Sequence, residues 1–72
     1  MDIRKRFGIN IRKARTSKGW SQEDLAESAG LDRTYVSGVE RGVRNPTLTV
    51  INQFAKAFGV DPGTLLDEET EK

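Results

Sequence analysis

Neither cysteine nor histidine occurs among the 72 residues. Without cysteine no disulfide can brace a small core, and without either residue the usual structural zinc and iron sites cannot be assembled. Nucleophilic or acid–base chemistry built on a thiol or an imidazole is excluded with them. A carboxylate-only active site would remain, but a chain this short has little room for a substrate pocket. No enzymatic activity, cofactor or metal is therefore expected. No apolar run approaches the ~20 residues that span a bilayer, and the charged N-terminus lacks the apolar core of a signal peptide. The expectation is a cytoplasmic protein with no membrane partner. Aromatic residues are few: one tryptophan, one tyrosine and three phenylalanines. RNA-binding proteins commonly display an aromatic stacking platform, and none is evident here.

What is present is charge, unevenly spread. The net charge of +1 hides a front half, residues 1–44, with ten Lys/Arg against six Asp/Glu, and a back half, residues 45–72, with two against five. A basic front and an acidic end point to an anionic partner meeting one side of the molecule. Within the basic half, Arg4, Lys5 and Arg6 form a run that reads either as phosphate attraction or, more commonly, as a solvated face.

The apolar pattern is helical throughout. Ile3, Phe7, Ile11 and Ala14 recur at intervals of four, four and three, with Asp2 as a cap and Lys18–Gly19 as a basic last turn and stop. "WSQEDLAESAG" starts with Ser21 three residues before Asp24, a capping-box pattern. It carries Leu25, Ala26 and Ala29 on the inner face of a second helix that Gly30 ends. Trp20, directly after a helix stop, reads as packing between the first two helices. Asp32 caps a third helix running to about Arg41 and closed by Gly42. Thr47 caps a fourth, with Leu48, Ile51, Phe54, Ala55 and Phe58 facing inward and Gly59 as the stop. "DPGTLL" places Pro62 at the first position of a short fifth helix bearing Leu65 and Leu66. The expected architecture is all-α: one five-helix domain over residues 1–66, and a frayed acidic tail, 67–72.

Two short helices joined through "AGLD" match a helix-turn-helix over residues 21–42, in which a small Gly-containing turn sets the helices steeply across each other. Ala26, four residues before Gly30, leaves room for their close approach. On the third helix Val36 and Val39 point inward, at 100° per residue. Thr34, Ser37, Gly38 and Arg41 then fall on the opposite face, with Arg33 at the exposed first turn. That outer face is polar, small and positive. Short side chains would let the helix sink into a DNA major groove, where Arg33 could pair bidentately with guanine. Gly38 would serve the same close approach, unless it is simply a tolerated exposed glycine. Asp32 is taken as an N-cap pointing along the helix axis.

Over residues 5–66, and most clearly in "WSQEDLAESAGLDRTYVSGVERGVRNPTLTVINQFAKAFGV", the chain resembles the helix-turn-helix domains of phage repressors and Cro proteins, the lambda-repressor-like folds of the xenobiotic-response-element class. Within that class "LDRTYVSGVERGVRNPTL" is most similar to the controller proteins of restriction–modification systems, small dimers that bind operators upstream of their own and the endonuclease genes. The resemblance implies base reading by Arg33, Thr34 and Ser37. It implies phosphate contacts from Gln22 at the start of the second helix, and from Arg44 and Asn45 in the loop after the third. Tyr35 is implied either to reach phosphate or to pack against the core, and Arg41 either to contact phosphate or to end the helix in solvent. Arg15 and Glu40 match the family's buried ion pair between the first and third helices.

One recognition helix spans too few bases to select a genomic site, so a two-fold homodimer on a palindromic operator is expected, its half-sites ~34 Å apart on double-stranded DNA. The expected interface is Phe58, Val60, Leu65 and Leu66, with the division between core and interface left open. A stand-alone phage-type repressor or an antitoxin-like interaction module is the alternative. If the protein activates transcription, acidic Glu23, Asp24 and Glu27 are a surface for RNA polymerase, although helix solubility accounts for them equally well.

Overall fold

The computed structural model describes residues 2–67. They form four α-helices and one short 3-10 helix: α1 (Ile3–Ser17), α2 (Gln22–Ala29), α3 (Arg33–Glu40), α4 (Leu48–Phe58) and α5, the 3-10 turn Pro62–Leu66. The architecture is all-α, with no strand among the described residues. The fifth element is a 3-10 turn rather than an α-helix, because five residues starting on Pro62 supply too few i→i+4 bonds to set the wider helix. Of the acidic tail only Asp67 lies within the described residues.

The starts follow local chemistry. Asp2, Asp32 and Thr47 each accept a backbone N–H with the side chain, from Arg4, Thr34 and Val50. Ser21 and Asp24 satisfy one another reciprocally: Ser21 Oγ accepts from Asp24 N at 3.0 Å, and an Asp24 carboxylate oxygen accepts from Ser21 N at 2.9 Å. The ends share one device. Gly19, Gly30, Gly42 and Gly59 all have positive φ. After each, the chain folds back by the same pair of reversed bonds, for example Leu31 N–H to Ala26 O at 2.8 Å and Gly30 N–H to Glu27 O at 3.3 Å. This closure needs a left-handed residue, which glycine supplies without a Cβ clash.

Phe7, Ile11, Leu25, Val36, Val39, Phe54 and Leu65 are the main large members of one buried cluster fed by all five elements. Phe7 and Phe54 meet edge to face at 5.9 Å. Two stripe residues fall outside it. Ile3 is 55% exposed and Leu48 82% exposed. Each is the first residue of its helix, and a helical Cα–Cβ bond tilts towards the N-terminus, so both side chains project beyond the end of the core. Trp20, in the connection between α1 and α2, also stacks its ring on Phe58 of α4, 6.0 Å between centroids. The Lys18 ammonium stands 5.3 Å from its ring centroid.

Gly8, on the inner face of α1, is what lets α1 and α3 touch. A Cβ built there would lie 2.7 Å from the Glu40 backbone oxygen, and nearer still to that of Val39. Two side-chain amides complete the frame. Asn10 donates to the Leu65 and Asp67 carbonyls, at 2.8 and 2.9 Å, and holds α5 against α1. Gln53 donates to the Ala29 carbonyl at 3.0 Å and ties α4 to the α2–α3 turn.

Candidate nucleic-acid interface

Gly30 turns the chain so sharply that the starts of α2 and α3 lie side by side. Gln22, Arg33, Thr34 and Ser37 line one open polar concavity of about 220 Å³. Arg33 and Thr34 are exposed and Ser37 half-buried, while Val36 and Val39, on the other face of α3, are buried. Arg41, Arg44 and Asn45 are exposed beyond the end of α3. None of Arg33, Arg41 and Arg44 forms an ion pair among the described residues. The result is a ridge whose charge is positive and unneutralised.

Behind the ridge sits a charged hub. Arg15 Nε and Nη2 donate to the two Glu40 carboxylate oxygens at 2.7 and 3.1 Å. Arg15 Nη1 donates to the Trp20 carbonyl at 2.8 Å. The Arg15 side chain is 12% exposed and that of Glu40 4%. Hydrogen bonding to Glu40 raises the Arg15 pKa above its ordinary value and outweighs the opposing effect of burial. Gln22 joins the hub, donating its amide N–H to Glu40 Oε1 at 3.1 Å. The amide of Gln22 is thus partly committed inside the protein. Its second amide hydrogen remains, as do the backbone N–H groups of Gln22 and Glu23 in the first turn of α2, which lack intrahelical acceptors, that of Asp24 being taken by Ser21 Oγ.

The remaining expected site residues divide. Tyr35 is half-buried against the core, and its ring carries the Arg44 guanidinium at 5.5 Å. Gly38 is not exposed: the Arg44 side chain lies over it and it is buried. A Cβ there would meet Arg44 Cγ at 2.7 Å, so the close-approach account of this glycine does not hold. The helical wheel placed it outside because a wheel omits the loop that folds back over α3. Phe58 and Leu65 are 6% and 3% exposed, built into the core by Trp20 stacking and by the α5 turn, and offer little to a second subunit. Val60 is exposed and Leu66 half-buried. In the N-terminal run, Arg4 is spent on Asp2 at 2.9 Å. Arg6 is half-buried, its Nε without a hydrogen-bond partner, which leaves Lys5 as the exposed cation of the run.

Gly8, Asn10 and Gln53 were not among the expected structural residues. Only Gly8 left a trace: a glycine between Phe7 and Ile11, inside an otherwise good helix.

A polar, cationic helix held outward by a second helix across a glycine turn defines a helix-turn-helix DNA-binding domain. A family model described as Helix-turn-helix matches residues 11–65, and the chain belongs to that family. It is 51% identical over 65 residues to a hypothetical transcription factor of Neisseria meningitidis. That match takes in 90% of this chain but 61% of the relative, so the chain spans less than two thirds of that protein. It is 49% identical over 70 residues to control protein C.BamHI of Bacillus amyloliquefaciens, covering 96% of this chain and 86% of the relative. Among solved structures, the restriction-modification controller protein C.AhdI from Aeromonas hydrophila superposes with a TM-score of 0.84 at 50% identity, over 86% of this chain and 94% of that one. The controller protein C.Esp1396I, as a tetramer in complex with its natural 35 base-pair operator, superposes with a TM-score of 0.82 at 37% identity, over 90% and 86%.

Proposed function

We propose that this protein is a sequence-specific transcriptional regulator, a binding protein rather than an enzyme. It acts as a homodimer on a palindromic operator upstream of its own gene, in the manner of a restriction–modification controller. The observation that carries this reading is the concavity where Gln22, Arg33, Thr34 and Ser37 converge beside an unpaired cationic ridge. Arg33 projects from the first turn of α3, where a guanidinium can pair with the O6 and N7 acceptors of guanine. Thr34 and Ser37 are short enough to let the backbone come close. Gln22, the α2 N-terminus, Arg41, Arg44 and Asn45 surround them and suit phosphate contacts. Similarity to controller proteins supports the regulatory setting, and the operator complex of C.Esp1396I supports an assembly of more than one chain on DNA.

For the second copy, Val60 and Leu66 remain available from the expected interface, and Leu48 adds an exposed apolar side chain. On α2, Asp24 is held in its capping box, which leaves Glu23 and Glu27 as the free acidic surface for RNA polymerase. A cytoplasmic location agrees with access to DNA. None of the helices among the described residues is long and apolar enough to cross a membrane.

The test is selection of bound fragments from the source organism's own DNA, followed by footprinting at low salt. A protected palindrome upstream of this gene is expected. Absence of any protected palindrome would remove the proposal, and a stoichiometric protein partner captured without DNA would replace it with an interaction module.

A further inference from the structure

Gly38 sits inside α3, where glycine costs the helix about 1 kcal/mol against alanine. Its φ is not positive, so the backbone does not require it. What requires it is the chain that returns over α3. The Val43 N–H donates to the Gly38 carbonyl at 3.0 Å, as part of the closure at Gly42. That bond folds the following residue back along α3. The aliphatic stem of Arg44 then lies across Gly38: a Cβ built on Gly38 would stand 2.7 Å from Arg44 Cγ and 3.3 Å from its Nε. The guanidinium carbon is 5.5 Å from the centroid of the Tyr35 ring. Tyr35 and Gly38 are three residues apart and so neighbours on one helix face. A cation over an aromatic ring is held there by the ring's quadrupole.

We propose that Gly38 and Tyr35 together form a seat that fixes the Arg44 side chain on the DNA-facing side. Gly38 is thereby a positioning residue for DNA binding that itself touches no DNA. This rests on the reading of Arg44 as a phosphate contact. Without the seat, Arg44 is a long, freely rotating side chain that must be immobilised when DNA binds; with it, that cost is met during folding. An alanine at position 38 suits the helix backbone but meets Arg44 Cγ at 2.7 Å, so the whole exposed Arg44 side chain must swing away from its base and the cation is displaced while the helices stay in place.

The test compares wild type, Gly38→Ala, Arg44→Ala and the double variant. Affinity is measured across a salt series on the selected genomic site and on a random-sequence duplex of equal length. In free protein, NMR shifts of the Arg44 side chain report the Tyr35 ring current. Gly38→Ala is expected to melt within a few degrees of wild type, the gain in helix propensity offsetting the displaced Arg44 side chain. It should move the Arg44 shifts towards random-coil values and weaken binding to both duplexes by roughly 3- to 10-fold, the loss expected when one long side chain is left to be ordered on binding. In the Arg44→Ala background it should change nothing. Equal loss in both backgrounds would mean that position 38 meets DNA directly, and wild-type binding by Gly38→Ala would mean that the seat has no role; either overturns the inference. If Arg44→Ala binds both duplexes like wild type, the phosphate reading and this role for the seat fail together. The NMR shifts decide the seat separately: random-coil values in wild type would show that it does not exist.

Discussion

Gly8 and Gly38 are both buried glycines inside helices, yet alanine should act on them differently. At Gly8 the added methyl would sit 2.7 Å from the backbone oxygen of Glu40, and closer still to that of Val39. Backbone cannot rotate out of the way as a side chain can, so α1 must lift from α3. Overpacking of this kind costs about 1–3 kcal/mol, occasionally more. The better helix propensity of alanine returns about 1 kcal/mol. The same displacement stretches the Arg15–Glu40 bonds, now 2.7 and 3.1 Å, in a nearly buried pair that depends on close geometry. The net expectation is a loss of roughly 1–3 kcal/mol, the strained pair offsetting what propensity returns. A domain this size holds only about 4–11 kcal/mol in all. At about 4–8 °C per kcal/mol, the melting temperature should fall by roughly 4–24 °C. Urea unfolding followed by helical circular dichroism measures the change directly. Gly8→Ala as stable as wild type would refute the close-approach argument, and Gly38→Ala, which meets a movable side chain and is expected to be near neutral, is the matched control.

Other perturbations separate reading, framework and local charge. Arg33→Ala should cost about 1–3 kcal/mol on the specific site and relax preference at one base pair, as read by binding to a panel of single-base variants; equal losses on specific and random duplexes would count against base reading. Glu40→Ala leaves the Arg15 guanidinium nearly buried without its counter-charge and deprives Gln22 of its acceptor, so stability should fall by about 3–5 kcal/mol. Chemical denaturation checks this, and a drop below about 1 kcal/mol would mark the pair as an ordinary surface one. The Asp2 carboxyl, lowered from 3.8 to about 2 by its side-chain and backbone hydrogen bonds with Arg4, gives a pH signature. A depressed folded pKa means that the cap's contribution is full above 3.8 and is lost as pH falls through about 2. The Arg4 amide shift should titrate near that lower value, and a midpoint at 3.8 would show that the cap is not formed in solution.

Much of this molecule is determined locally. Helix starts at Asp2, Ser21, Asp32 and Thr47 rest on side chains within three residues of the backbone N–H groups they serve, and stops at Gly19, Gly30, Gly42 and Gly59 rest on a left-handed glycine and backbone bonds reaching no more than five residues back. Such short-range bonds depend on sequence alone. The 3.6-residue period likewise placed Val36 and Val39 inward and Arg33 and Thr34 outward, because it needs only the geometry of one helix.

What the tertiary structure decided concerns contacts between distant parts of the chain. A helical wheel has no knowledge of the loop that returns over α3, so it set Gly38 outside although Arg44 covers it. Periodicity marks an apolar face but not where the core ends, so Ile3 and Leu48 appeared inward although each overhangs its helix end. Phe58 and Leu65 were apolar residues that could have served core or interface, until the stacking of Trp20 and the fold of α5 claimed them for the core. Gln22 could be placed at the start of α2 from sequence, but not bonded to Glu40 eighteen residues on. Local chemistry fixes where helices begin, end and face; which side chains remain free for a partner depends on what the rest of the chain has already covered.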